Sequence, residues 1–180
     1  GKAEEILRIL ATEFYSISKN YNVAFEYNEF FVPSVLMDEE LKGKIIAAYK
    51  ALERDRSKDT LHGAFLDIVV NSDDPEIYAV SKKRVYQCMD IARELGIKAV
   101  IFHTNYIANF KLCWYCQNWV RKNEIFWRQV LSDYPELNVY MENMFDEEPD
   151  MLCELAERMK DEERFGVCFD FAHAFVSGTD

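Results

Sequence analysis

One stretch, Phe165-Gly166-Val167-Cys168-Phe169-Asp170-Phe171-Ala172-His173, decides the fold of this 180-residue chain. An apolar run with the composition of a β-strand ends at an acid, and a histidine follows three residues later. A carboxylate at the end of a buried strand is costly unless it has a partner. Because a histidine lies beside it, a metal ion is the most economical partner. The stretch therefore predicts a buried strand that ends in a metal-ligating acid.

The same arrangement recurs three times upstream, at His62, His103 and Glu142. His103 lies 41 residues after His62, Glu142 lies 39 residues after His103, and Asp170 lies 28 residues after Glu142. These intervals suit strand–helix units, since a full crossover takes at least about 30 residues.

Strand-like and helix-like segments alternate along the whole chain. We expect strands over residues 23–27, 60–65, 98–103, 138–142 and 165–170. We expect helices over residues 4–19, 38–53, 73–95, from the aromatic segment 106–119 onward to 131, and 147–160. This alternation predicts an α/β fold with a parallel sheet. We expect one domain over residues 1–180, an incomplete barrel that carries about strands 2–6 and is truncated at both ends.

Functional residues of a parallel barrel lie at the carboxyl ends of its strands. Two imidazoles and two carboxylates at one rim would form a site for a divalent transition metal such as Zn, Mn, Co or Fe. His173 would serve a second metal or orient Asp170. Taken singly, each histidine could instead be a hydrogen-bonded structural residue, and Asp170 could cap the next turn.

Composition narrows the choice of partners. The formal net charge of −11 disfavours nucleic acid as a partner, because phosphate binding draws on Lys and Arg. The sequence contains no apolar run long enough to span a membrane and no recognisable signal peptide. The five cysteines are odd in number and lie mostly in apolar segments, which indicates reduced thiols in a cytoplasmic protein. Apolar strand edges of an incomplete barrel favour a homo-oligomer or a cover from further segments.

Four motifs, 61–67, 101–103, 140–143 and 167–174, resemble the xylose isomerase-like TIM barrels. That family includes sugar isomerases and epimerases and the endonuclease IV branch, and the resemblance extends from about residue 23 to 178. It implies a (β/α)8 barrel in which Glu142 and Asp170 bind a divalent metal. In the endonuclease IV branch, residues matching His62, His103 and His173 also bind zinc. The family's ligands on strands seven and eight, including a second essential glutamate, have no counterpart in these 180 residues.

The preferred functional hypothesis is isomerisation or epimerisation of a ketose or sugar phosphate through an enediolate. A divalent metal (Mn, Co or Zn) would polarise the substrate, and a carboxylate would move the proton. The resemblance implies that Glu142 both binds the metal and handles the proton. Glu26, at the end of its strand, would hold substrate hydroxyls or be a solvated acid. Two alternatives stay open: a zinc-dependent phosphodiesterase acting at abasic sites, favoured by the three histidines, and a non-catalytic ligand-binding barrel.

Two further patterns have simpler interpretations. Cys113-Trp114-Tyr115-Cys116 is a CxxC pair within an aromatic segment, and we expect a substrate lid or an interface, with Trp114 stacking on a sugar ring, rather than redox chemistry. The acidic runs 146–148 and 161–163 indicate a helix start and a solvated loop, so neither is assigned to the site.

Overall fold

Five parallel strands form one sheet in the computed structural model of the chain, which describes residues 2–178. Their spatial order follows the chain: β1 (Glu26–Tyr27), β2 (Thr60–His62), β3 (Ala99–His103), β4 (Asn138–Glu142) and β5 (Phe165–Cys168). Each strand pairs in parallel with the next. The predicted α/β fold with a parallel sheet is confirmed.

Helices precede, connect and follow the strands. In chain order they are α1 (Lys2–Ile9), α2 (Tyr15–Asn20), α3 (Pro33–Met37), α4 (Glu39–Lys50), α5 (Pro75–Leu95), α6 (Cys113–Asp133), α7 (Asp150–Arg158) and α8 (Phe171–Ser177). A π-helical segment, Leu10–Phe14, joins α1 to α2, and a 3-10 turn, Glu29–Phe31, follows β1. Within residues 2–178, no helix is long and apolar enough to cross a membrane.

The two faces of the sheet differ in what they contact. Val100 is fully buried in the core that the strands form with the helices. Ile101, the next residue, points to the opposite face, because side chains alternate along a strand. His62 pairs with Ile101, and His103 lies two residues beyond it and pairs with Glu142. The predicted site residues on β2, β3 and β4 therefore share the face turned away from the helices.

Local signals in the sequence explain where two of the helices begin and end. The Asp74 carboxylate accepts the N–H groups of Glu76 and Ile77 at the start of α5, next to Pro75 in the first turn. Gly96 ends α5 with a φ of 74°, a left-handed conformation that glycine adopts without steric cost. The Asp38 carboxylate accepts the N–H of Leu41 at the start of α4.

The first predicted strand is shorter than expected. β1 begins only at Glu26; the Phe25 carbonyl accepts the N–H of Thr60 at 2.9 Å, but the N–H of Phe25 donates to the Asp59 carboxylate at 2.8 Å. Three helical segments were not predicted: the 3-10 turn, α3 and α8. α3 has five residues and α8 has seven, which is too short for a helical period to be recognised in the sequence. The second half of the aromatic segment belongs to α6, which starts at Cys113.

Candidate metal centre

Strand ends bring the predicted ligands together at one rim of the sheet. His62, His103 and Glu142 are the last residues of β2, β3 and β4. Asp170 lies two residues beyond β5, where its carboxylate accepts the N–H of His173 at 2.8 Å and caps α8. Asp170 thus has the capping role that was one of its two sequence interpretations, and it still lies beside the other donors.

The two strand-end imidazoles face each other through their Nε2 atoms, which are 3.0 Å apart. Nδ1 of His62 lies 2.9 Å from the Gly63 carbonyl oxygen and donates to it, so Nε2 of His62 keeps its lone pair. Nδ1 of the buried His103 has no hydrogen-bond partner in the described part of the chain. Burial, together with the neighbouring His62 and His173, lowers the pKa of His103 to about 4, so this imidazole is neutral at physiological pH.

Glu142 stands between the two imidazoles and the start of α8. Its Oε2 lies 3.6 Å from Nε2 of His103, and its Oε1 lies 3.9 Å from Nδ1 of His173. The residue is only 8% exposed. Burial is the main reason why the pKa of Glu142 rises to about 7, and the negative charge of Glu26 adds to the shift.

The pKa of Asp170 moves in the opposite direction. It lies below its ordinary value, chiefly because the carboxylate accepts the backbone N–H of His173. The two carboxylates of the site therefore differ in pKa. Asp170 is ionised over the physiological range, whereas Glu142 changes its protonation state near neutrality in the metal-free protein.

The donor atoms fit a divalent cation. His62, His103 and Glu142 form one group, and Glu142, Asp170 and His173 form another, with the ligand atoms of each group within 4.8 Å of one another. Two ligand atoms about 2.1 Å from one tetrahedral ion lie about 3.4 Å apart. The separations of 3.0 and 3.6 Å around Nε2 of His103 bracket that value. Mixed imidazole and carboxylate donors suit Zn, Mn, Co or Fe, and Glu142 belongs to both groups.

The two predicted substrate-binding residues lie in different settings. Glu26 is exposed on β1, yet its charge raises the pKa of Glu142 on β4. Burial and the charges of Glu142 and Glu26 also raise the pKa of Cys168 on β5, the opposite edge of the sheet. The charge of Glu26 on β1 therefore affects groups on both β4 and β5, and a role of Glu26 towards substrate stays a prediction.

Trp114 is exposed in the first turn of α6, with its ring against Phe110 and Tyr115. The structure does not gather it with the imidazoles, so its stacking role stays a prediction. Trp119, from the same aromatic segment, is fully buried in the core and cannot belong to a lid. Cys116 contacts the Tyr106 hydroxyl at 3.3 Å, and the thiols of the CxxC pair are free.

Sequence reasoning missed three features around the centre. Asp146 was assigned to an acidic helix start, but it is buried and accepts the Thr104 hydroxyl at 2.6 Å and the Met144 N–H at 2.8 Å. Both bonds go to Oδ2, and the buried Oδ1 has no hydrogen-bond partner in the described part of the chain. The acidic run does precede α7, but this burial was not foreseen. Phe65 places its ring 5.1 Å from the ring of His103, and Asn143 bonds to the start of α8. The residue types alone gave no signal for these contacts.

A parallel sheet with imidazoles and carboxylates at its strand ends defines an α/β barrel protein with a candidate metal centre at the carboxyl rim. The chain belongs to the xylose isomerase-like TIM barrel family, whose family model matches residues 22–180. The five described strands are thus part of a (β/α)8 barrel, as predicted.

Solved structures share this fold at low sequence identity. The TTHB071 protein from Thermus thermophilus, soaked with ZnCl2, is 22% identical with a TM-score of 0.56, covering 83% of this chain and 57% of its own. The 3-keto-D-glucoside 4-epimerase YcjR from E. coli is 14% identical with a TM-score of 0.57, covering 88% and 72%. A D-allulose 3-epimerase from Methylomonas sp. is 12% identical with a TM-score of 0.64, covering 97% and 59%.

The chain spans just over half the length of the Thermus and Methylomonas proteins. At these identities the likeness shows the fold alone. The comparison with curated proteins found no match.

Proposed function

We propose that this chain carries the metal centre of a divalent-metal-dependent isomerase or epimerase that acts on a ketose or a sugar phosphate. The observation that carries the proposal is the position of Glu142, which reaches His103 on one side and His173 on the other. One buried carboxylate common to both donor groups can hold a cation and also face a substrate bound to it. Two structures with the same fold, an allulose epimerase and a keto-glucoside epimerase, support a sugar as substrate.

Each residue has a defined task in this proposal. The residues of the two donor groups would hold the cation (Mn, Co or Zn), which when bound supplies Lewis-acid polarisation of a carbonyl; these residues are His62, His103, Glu142, Asp170 and His173. Glu142 would take the proton from the carbon beside that carbonyl and return it. Phe31 and Phe65 place rings at 5.6 Å from the His62 ring, and this apolar wall would keep water from the reacting carbon. Glu26 would hold a substrate hydroxyl.

Deuterium exchange tests the proposal directly. The protein, loaded with Mn²⁺ or Co²⁺, is incubated in D2O with a panel of ketoses and ketose phosphates, and NMR reports deuterium at the carbon beside the carbonyl. We expect exchange and epimer formation with at least one sugar, lost in Glu142→Gln and kept in Glu136→Gln, a change at an exposed acid. Bound metal without exchange on any sugar would overturn the proposal.

A second candidate is a zinc-dependent phosphodiesterase acting on DNA. One observation favours it: the imidazole ring of His103 lies 5.0 Å from that of His62 and 5.4 Å from that of His173, so all three histidines converge. The net charge of −11 opposes it, because DNA binding draws on cations. Cleavage of an abasic-site duplex by the zinc-loaded protein, lost in His103→Asn, would establish this activity instead.

A further inference from the structure

We infer that Asn143 is a positioning residue that clamps Asp170 and His173 into the candidate metal centre. The inference rests on the proposed function in so far as these two side chains hold the cation. Asn143 directly follows Glu142 and is only 6% exposed. Asn143 does not belong to either donor group. It acts through hydrogen bonds to the backbone of Asp170 and to the ring of His173.

The side-chain amide of Asn143 makes a two-way pair with the backbone of Asp170. Its Oδ1 accepts the Asp170 N–H at 2.8 Å, and its Nδ2 donates to the Asp170 carbonyl at 2.8 Å. Because one partner can only donate and the other can only accept, the orientation of the amide is determined. The last backbone pair between β4 and β5 is Glu142 with Cys168, so this amide continues the strand pairing by one further step.

The backbone of Asn143 fixes the second ligand. The carbonyl oxygen of Asn143 accepts a hydrogen bond from Nδ1 of His173 at 2.9 Å. With Nδ1 protonated, Nε2 of His173 retains the lone pair that a cation requires. Asn143 therefore sets the position of Asp170 and the tautomer of His173 at the same time.

These polar contacts connect α8 to the residues that follow β4. The helix contains no buried residue, and Phe171, Phe175 and Val176 are at least three-quarters exposed. The Ser177 hydroxyl also donates a hydrogen bond from α8 to the Met144 carbonyl at 2.8 Å.

The test compares Asn143→Leu with a matched control, Asn123→Leu. Asn123 is also a buried asparagine with two side-chain hydrogen bonds, to Trp119 and Trp127 within α6, and it contacts neither donor group through these bonds. In chelator-treated protein, we expect the Asp170 amide to exchange hydrogen at least about 10-fold faster in Asn143→Leu, and cobalt affinity to fall about 10- to 100-fold. The Co²⁺ absorption bands should change with it. Asn123→Leu should leave cobalt affinity and spectrum as in the wild type.

The outcomes separate the two proposals. If the wild type binds no cobalt while Asn143→Leu still speeds exchange at Asp170, the clamp stands and the proposed function fails. Equal cobalt affinity and spectra for wild type and Asn143→Leu would overturn the clamp. Asn143→Asp keeps the volume and the acceptor for the Asp170 N–H, so protection of that amide should persist in this variant. Loss of protection in a folded Asn143→Asp protein would also overturn the inference.

Discussion

Gly63 links the core to the candidate metal centre, and replacing it with alanine gives a sharp test of the structure. It follows His62 at the end of β2, and its N–H donates to the Ile101 carbonyl at 2.7 Å. A Cβ at this position would overlap Cε1 and Cδ1 of the Phe102 ring and lie 2.9 Å from the Ile101 carbonyl oxygen. Phe102 cannot withdraw easily, because it is buried with its ring 5.0 Å from that of Trp127.

The cost of Gly63→Ala follows from these contacts. Overpacking of a well-packed core costs about 1–3 kcal/mol, and a displaced backbone hydrogen bond adds about 1 kcal/mol. We therefore expect the free energy of unfolding to fall by about 2–4 kcal/mol. His62 should move with its neighbour, so cobalt affinity should also fall.

Gly43 provides a matched control with the opposite sign. It lies exposed within α4, and a Cβ there meets nothing within 4 Å. Gly43→Ala should therefore stabilise the protein by about 0.5–1 kcal/mol, because glycine loses more freedom than alanine in a helix. Urea unfolding followed by circular dichroism measures both variants. If Gly63→Ala unfolds at the wild-type urea concentration, the close approach of Phe102 to Gly63 is wrong.

Three other predictions address stability, reactivity and metal binding. Asp59→Ala removes a buried carboxylate that pairs with Arg54 and accepts hydrogen bonds from the Phe25 N–H and the Tyr27 hydroxyl. The free energy of unfolding in urea should fall by about 3–5 kcal/mol. The exposed control Glu157→Ala should lower it by less than about 0.5 kcal/mol. Burial raises the pKa of Cys88 to about 12, so Ellman's reagent at pH 8 should label the exposed Cys113 while Cys88 reacts only on unfolding. A bound cation at 100 times its Kd should raise the free energy of unfolding by about 2.7 kcal/mol, which corresponds to a rise of roughly 5–10 °C in Tm. Glu142→Gln should abolish that rise in Tm.

The strand ends could be predicted from the sequence because each carries its own signal. An apolar run that stops at His103 or Glu142 marks both the strand and its last side chain, and the 39-residue interval between them fits one crossover. The structure pairs these residues directly across β3 and β4. The sequence could predict this proximity because the last residues of neighbouring parallel strands lie side by side at the carboxyl rim of the sheet.

Residues that act through tertiary contacts gave no such signal. Asn143 looks like an ordinary turn residue after a strand, and its role depends on Asp170 lying 27 positions later along the chain. Asp146 sits in an acidic run whose other members are more exposed, so its burial against Thr104 cannot be read from composition. In both cases the deciding contact joins loops of different strand–helix units, whose relative placement depends on the packing of the whole sheet.

The two halves of the centre are held by different forces. His62, His103 and Glu142 end strands whose other face is packed against the buried core, so their backbone positions are fixed by the barrel itself. Asp170 and His173 lie at the start of α8, where hydrogen bonds to Asn143 hold the Asp170 backbone and the His173 ring. Glu142 contributes to both halves. A change at the start of α8 can therefore alter half of the donor set without unfolding the barrel, whereas a change at Glu142 affects both halves together.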